Sequence, residues 1–209
     1  MKKLQYGRSM IEMLGVLAII GVLSVGAIAG YQKAMMKYKL NKHLSSINFL
    51  INTVLQYKDS FPKAELGKTL HYNKLLFKLK ALPDNFTYIS SEDIINENIF
   101  NTPILILHNR EENNNHGFIQ FELGKQSDYM ADICRNILFA AKENSNNLWL
   151  VQSSTKIDGV QTINPRIFGD DYCKDSNNKC LSSLTINDTE NICSNCAKDN
   201  NCYLHILFK

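Results

Sequence analysis

Net charge of either sign is scarce in this chain: 23 Lys and Arg against 20 Asp and Glu leave +3 over 209 residues. With no basic tail or acidic run beside it, so small an excess does not build the phosphate-neutralising face of a nucleic-acid binder. Catalytic motifs are missing too. His43, His71, His108, His116 and His205 stand apart, and there is no H-E-x-x-H, G-x-S-x-G, phosphate loop or C-x-x-C-H. The chain is read as no enzyme and as holding no cofactor. Around Asp158, Asp170, Asp171 and Asp175 the strict EF-hand spacing is absent, so no calcium loop is assigned. Of four prolines none precedes Pro62, which leaves a long first segment without a helix breaker. Residues Met13 to Gln32 hold no charge at all.

That uncharged run, MLGVLAIIGVLSVGAIAGYQ, follows Arg8-Ser9-Met10-Ile11-Glu12. Twenty residues of helix rise about 30 Å, the thickness of a bilayer's hydrocarbon core, so the segment can span it. A secretory signal has a shorter apolar region and a small-residue cleavage site, so the run reads as an anchor. Lys2, Lys3 and Arg8 hold its start in the cytoplasm, while Lys33, Lys37, Lys39 and Lys42 flank the other end and nearly balance the charge rule. Glu12 is the residue an anchor would not choose: at the bilayer centre a lone carboxylate costs on the order of 2–3 kcal/mol.

Six cysteines, Cys134, Cys173, Cys180, Cys193, Cys196 and Cys202, all lie in the C-terminal half. An even number in a polar, loop-like region belongs to an oxidising compartment. Cys193 and Cys196 form one C-x-x-C, but Cys173 and Cys180 are too far apart for a zinc knuckle and no βαβ pattern surrounds the pair. Structural disulfides are therefore preferred to metal, with fifteen connectivities open to six cysteines.

Beyond Gln32 the pattern turns amphipathic: Ala34, Met35, Tyr38, Leu44, Ile47, Leu50, Ile51, Val54 and Leu55 recur at helical spacing. One helix from about Arg8 to Tyr57 would be about 75 Å long, so its second half is expected to pack on a globular domain. Asp59 to Phe100 reads as loops with a short helical stretch near Tyr72 to Leu82. Ile104–His108 and Phe118–Leu123 read as a hairpin with a long polar loop, Asn109 to Gly117. Ser127 or Asp128 is expected to cap a helix running to about Glu143 that carries Cys134, with strands over Leu148–Ser153 and Tyr203–Phe208. The fold class is α+β, a helical spine on a small antiparallel sheet.

The order Lys2-Lys3 to Gly7, then Arg8, Ser9, Met10, Ile11 and Glu12, then a long apolar helix, resembles the class III leader and N-terminal helix of type IV pilins and pseudopilins. The resemblance covers about the first 50 residues. It implies a leader, 1–7, cut by a prepilin peptidase between Gly7 and Arg8, and N-methylation of the new Arg8 amine. Arg8 stands where the family has Phe or Met. The missing helix proline leans toward the type IVb branch. The implied organisation is a transmembrane and fibre-core half, 8–32, an amphipathic half, 33–58, and a globular head, 59–209, with a Cys-rich region, 173–202. In type IVb pilins a disulfide ties the helix after the hairpin to the C-terminal segment, which here implies Cys134 with Cys202.

The function so implied is structural: a pilin subunit, major or minor, drawn from the bacterial inner membrane into an extracellular fibre, in roles such as adhesion, motility or conjugation. Its implied partners are other pilin subunits, the prepilin peptidase, the inner-membrane assembly platform and, before assembly, membrane lipid. Glu12 would set the register by pairing with a neighbour's terminal amine. Two other readings stay open: a pseudopilin of a type II secretion system, and a singly anchored extracytoplasmic binding protein.

Overall fold

The computed structural model describes residues 10–112, 114–124, 129–157, 160–163, 166–174, 178–198 and 201–209. It is α+β, with a long apolar N-terminal helix, an antiparallel-rich sheet and, among the described residues, two disulfide bridges with both partners seen. Helix α1 runs unbroken over Met10–Tyr57, as the absence of proline allows. The chain divides into two units, residues 1–39 and 40–209. Within the first, residues 13–32 of α1 present uncharged side chains on every face. In the second, His43, Ser46, Ile47, Leu50, Ile51, Thr53 and Val54 are buried at spacings of three and four, one stripe of the helix.

After α1 the chain forms β1 (Lys68–His71), α2 (Asn73–Lys78), β2 (Phe86–Ile89), β3 (Ile94–Glu97), β4 (Thr102–Glu111) and β5 (Asn114–Gly124). Then come α3 (Met130–Glu143), β6 (Leu150–Ile157), β7 (Val160–Ile163), β8 (Ile167–Phe168), β9 (Lys179–Cys180), α4 (Ile186–Lys198) and β10 (Asn201–Phe208). The strands join in the order β2-β3-β4-β5-β10-β6-β8-β9, with β1 also on β4 and β7 also on β6. Every pairing is antiparallel except β8 with β9. The last strand, β10, is thus central, held between β5 and β6.

The sheet is larger than the small one expected. The expected hairpin loop is mostly strand: pairing continues through His108↔Gly117 to Glu111↔Asn114, because each backbone group there finds its partner across the ladder. Gly117 makes room for Phe208, whose ring would have to shift if a Cβ were added there. Within 59–100, read as loops and a short helix, three four-residue strands and α2 form. Asn73, fully buried, fixes this region: its Oδ1 accepts from the Ile106 amide at 2.9 Å, and its Nδ2 donates to the Asp93 carbonyl at 2.5 Å. Buried Glu97 accepts from Asn85 Nδ2 and from the amides of Ile99 and Phe100, all within 3.0 Å, which satisfies its carboxylate.

Helix α3 begins at Met130, with no side-chain cap from Tyr129; the expected caps Ser127 and Asp128 lie outside the described residues. It packs beside the lower half of α1, where Asn136 Nδ2 donates to the Leu40 carbonyl at 2.8 Å and Asn144 Nδ2 to Asn48 Oδ1 at 3.1 Å. Ile133, Ile137, Leu138 and Ala141 join Ile47, Leu50 and Ile51 and the inward strand residues Ile104, Ile106, Ile119, Phe121, Leu204 and Ile206 in one core.

Candidate functional site

The first candidate is the upper part of α1, residues 10 to 32. Its large apolar side chains are exposed throughout, from Met10 at 84% to Tyr31 at 64%. By length and composition it can cross a membrane. A Cβ added at Gly15, Gly21, Gly26 or Gly30 would meet nothing, so these glycines are open positions along the helix rather than sites of close approach within the chain. Glu12 lies in the first turn, where the helix macrodipole favours a negative charge. Among the described residues no cation pairs with it. Lys2, Lys3, Gly7 and Arg8, on which the leader reading depends, lie outside the described residues.

The second candidate is the cysteine region. Cys134 on α3 is bridged to Cys193 on α4 with Cα atoms 5.6 Å apart, and Cys173 to Cys180 at 5.4 Å. The expected pairing of Cys134 with Cys202 is therefore corrected. Residues read as a polar loop form α4 instead, which brings Cys193 to Cys134, while Cys202 sits in β10 opposite Leu123 and Thr155 and is disulfide-bonded itself. Cys196 also lies on α4; its side chain is outside the described set.

Ion pairs surround the first bridge. Arg135 on α3 contacts both Asp132 and Glu190 of α4, and the guanidinium's pKa is raised by its hydrogen bond to Asp132. Lys142 Nζ donates to the Leu184 carbonyl at 2.7 Å. Asp188 pairs with Lys179 and caps α4 reciprocally with Thr185: Asp188 N donates to Thr185 Oγ1 at 3.2 Å and Thr185 N to Asp188 Oδ2 at 3.0 Å. Its carboxyl is held well below the usual range, chiefly by Lys179. Asp170 accepts from Ser145 Oγ at 2.7 Å and Ser182 N at 3.2 Å, so its oxygens join segments of the fold. Among the described residues no group of three or more His, Cys, Asp or Glu side chains is placed to hold a metal ion.

Of the histidines only His43 is buried, while His71 is exposed and His108, His116 and His205 are half-buried. His43 is fully buried against Asn136 and Phe100, and desolvation lowers its pKa to about 4. His116 and His205 come together across the sheet, both next to Phe118 at 6.1 Å between ring centroids. This grouping was missed because it joins β5 to β10, far apart in sequence. Its one local signal was the alternation through Phe118–Leu123 and Tyr203–Phe208, which puts Phe118, Gln120, His205 and Leu207 on one face. Compared with known proteins, the chain matches no family model, no curated protein and no solved structure.

Proposed function

We propose that the chain is the precursor of a type IV pilus subunit, held by α1 in the bacterial inner membrane and then packed into an extracellular fibre. One observation carries this reading: a single unbroken helix has an uncharged, wholly exposed stretch at one end and a core-forming stripe at the other. Exposed apolar surface on that scale is covered by lipid or by copies of itself. In a fibre, helices meet head-to-tail through unlike surfaces, which extends without closing a ring. The disulfides fit an oxidising compartment outside the cytoplasm.

In this reading residues 1–7 are removed between Gly7 and Arg8, and the new amine pairs with Glu12 of a neighbouring subunit. A carboxylate in hydrocarbon costs on the order of 2–3 kcal/mol unless paired, so one axial stagger is favoured over the others. The test is intact mass and N-terminal sequencing of sheared surface fibres, with Glu12→Ala as the only copy. Expected are a mature chain starting at Arg8 and a variant that is inserted and cleaved normally but yields less than about a tenth of the fibres. Normal fibre yield from Glu12→Ala removes the register role, and an uncut amino terminus in the wild-type chain overturns the pilin reading.

A further inference from the structure

The sheet has two faces. Ile119, Phe121, Val151, Leu204 and Ile206 turn toward the helices and are buried. Strict alternation sends Phe118, Gln120, Glu122, Gln152, His205 and Leu207 to the other side. Across four adjacent strands Leu105, Gln120, His205 and Gln152 are direct partners in one row. A merely solvated face would carry mostly Lys, Glu and Thr, whereas this one carries rings and amides.

Two cavities open on it. One, of about 250 Å³, is lined by His116, Phe118, Gln120, Gln152, His205 and Leu207. The other, of about 320 Å³, is bounded by Glu92, Ile94, Pro103, Leu105, Gln120 and Glu122. Gln120 is their common wall. Phe118 stands edge-on to His205, and Tyr203 lies parallel to His205 with ring centroids 6.4 Å apart. His205 Nε2 donates to Gln120 Oε1 at 3.1 Å, which fixes the amide, and among the described residues the NH₂ makes no hydrogen bond. The Gln152 amide is half-buried and makes no hydrogen bond among the described residues.

We propose that this face is a carbohydrate-binding site for an uncharged oligosaccharide, with one sugar ring over Phe118 and Leu207 and the next beside Glu92 and Glu122. A pyranose has an apolar C–H face and a rim of hydroxyls, which matches a floor of ring and aliphatic carbon walled by amides. The Gln152 amide offers a donor and an acceptor side by side, the pattern that adjacent hydroxyls use, and Gln120 adds its NH₂ donors. The two carboxylates accept further hydroxyl protons and repel acidic sugars. Burial lowers the His205 pKa to about 4, so at neutral pH it offers no cation to an acidic sugar either. An acyl chain would leave both amides and both carboxylates unpaired. A basic peptide would use the carboxylates and leave the rings and amides idle. The site lies within residues 92–207 and does not rest on the fibre reading.

The test uses the full chain in a zwitterionic detergent without a sugar headgroup, applied to an array of neutral and sialylated oligosaccharides. The best neutral compound is then titrated by fluorescence of Trp149, the sole tryptophan, whose ring is 5.3 Å from that of His116. Expected are saturable binding of a neutral saccharide, about tenfold weaker binding of its sialylated form, and about tenfold loss in both Phe118→Ala and Gln152→Leu. Gln152→Leu keeps the side-chain volume and guards against a folding defect in Phe118→Ala. Glu122→Gln is expected to narrow the gap between neutral and sialylated forms. The proposal is overturned if no neutral saccharide binds, if Gln152→Leu binds it as well as wild type, if sialylated forms or an oligolysine peptide bind more tightly, or if the face instead mediates self-association that Phe118→Ala abolishes.

Discussion

Replacing Cys134 and Cys193 by alanine opens a bridge spanning 59 residues of sequence, whereas replacing Cys173 and Cys180 opens one spanning 7. By loop-closure entropy the first contributes about 4 kcal/mol and the second about 2.5 kcal/mol. Packing widens the gap. Cys134 and Cys193 are fully buried, so truncation also leaves a void, while Cys173 and Cys180 are half-exposed. From Ile186 to Ser194 of α4 only Thr189 and Cys193 are fully buried, with Ile192 packed partly against the core, so little apolar surface in this stretch holds it once its bridge is gone. Among the described residues the ion pairs Arg135–Glu190 and Lys179–Asp188 also tie α4, as partly exposed pairs worth roughly 0–1 kcal/mol each. Urea denaturation of the full chain in detergent is therefore expected to show the Cys134/Cys193 double variant less stable than the Cys173/Cys180 variant by about 2 kcal/mol or more. Hydrogen exchange is expected to show α4 amides opening locally in the first variant while α1 and β10 stay protected. Equal losses, or unchanged α4 protection, would refute the assignment of that bridge as the anchor of α4.

Two further outcomes follow from burial. His43 has its pKa lowered from 6.5 to about 4 by desolvation, so the unfolded chain takes up its proton first and stability is lost as pH falls from about 6.5 to about 4, by about 3 kcal/mol. His205, lowered to about 4 by burial, acts in the same window with the same sign. Denaturation midpoints between pH 7 and pH 4 are expected to fall less steeply in His43→Leu, and an unchanged slope would count against the buried neutral imidazole. Gly169→Ala is expected to cost about 3 kcal/mol or more, because its Cβ would run into the Leu148 carbonyl, which is backbone and cannot swing aside. A thermal melt within a degree of wild type would contradict that contact.

The long first helix was legible because two physical signals agree over it: an uncharged run, then a stripe repeating at three and four, with no proline between. The alternating strands near Ile104, Phe118 and Tyr203 were legible for the same reason. The three short strands before β4 were not. Their turns use Lys80, Asp93 and Asn101 at φ of 53°, 52° and 55°, and only Gly67, at 76°, carries the residue that usually marks a left-handed position. A four-residue strand such as Phe86–Ile89 holds too few residues for a period to stand out, and its identity comes from its partner, Ile94–Glu97. The outer-face grouping of His116, Phe118, Gln120 and His205 was hidden likewise, because strand order and not sequence brings it together.

The error over the disulfide has a more specific origin. Residues 185–198 are mostly polar, with three Asn among them, and composition made them a loop, which left Cys202 as the family-implied partner of Cys134. A local signal pointed the other way. Thr185-Ile186-Asn187-Asp188 places a carboxylate three residues after a hydroxyl, and in the structure the two cap each other's amides. Once that box nucleates a helix, Ile192 and Cys193 follow Thr189 by three and four residues, and the buried pair Thr189 and Cys193 forms a narrow stripe that faces α3. Over Ile186–Ser194 the fully buried residues are one threonine and one cysteine, which gives this stretch little hydrophobic reason to stay docked. The covalent bond does the holding that apolar area does for α1 and α3, which is why the segment could look like a loop in composition and still be a helix in the fold.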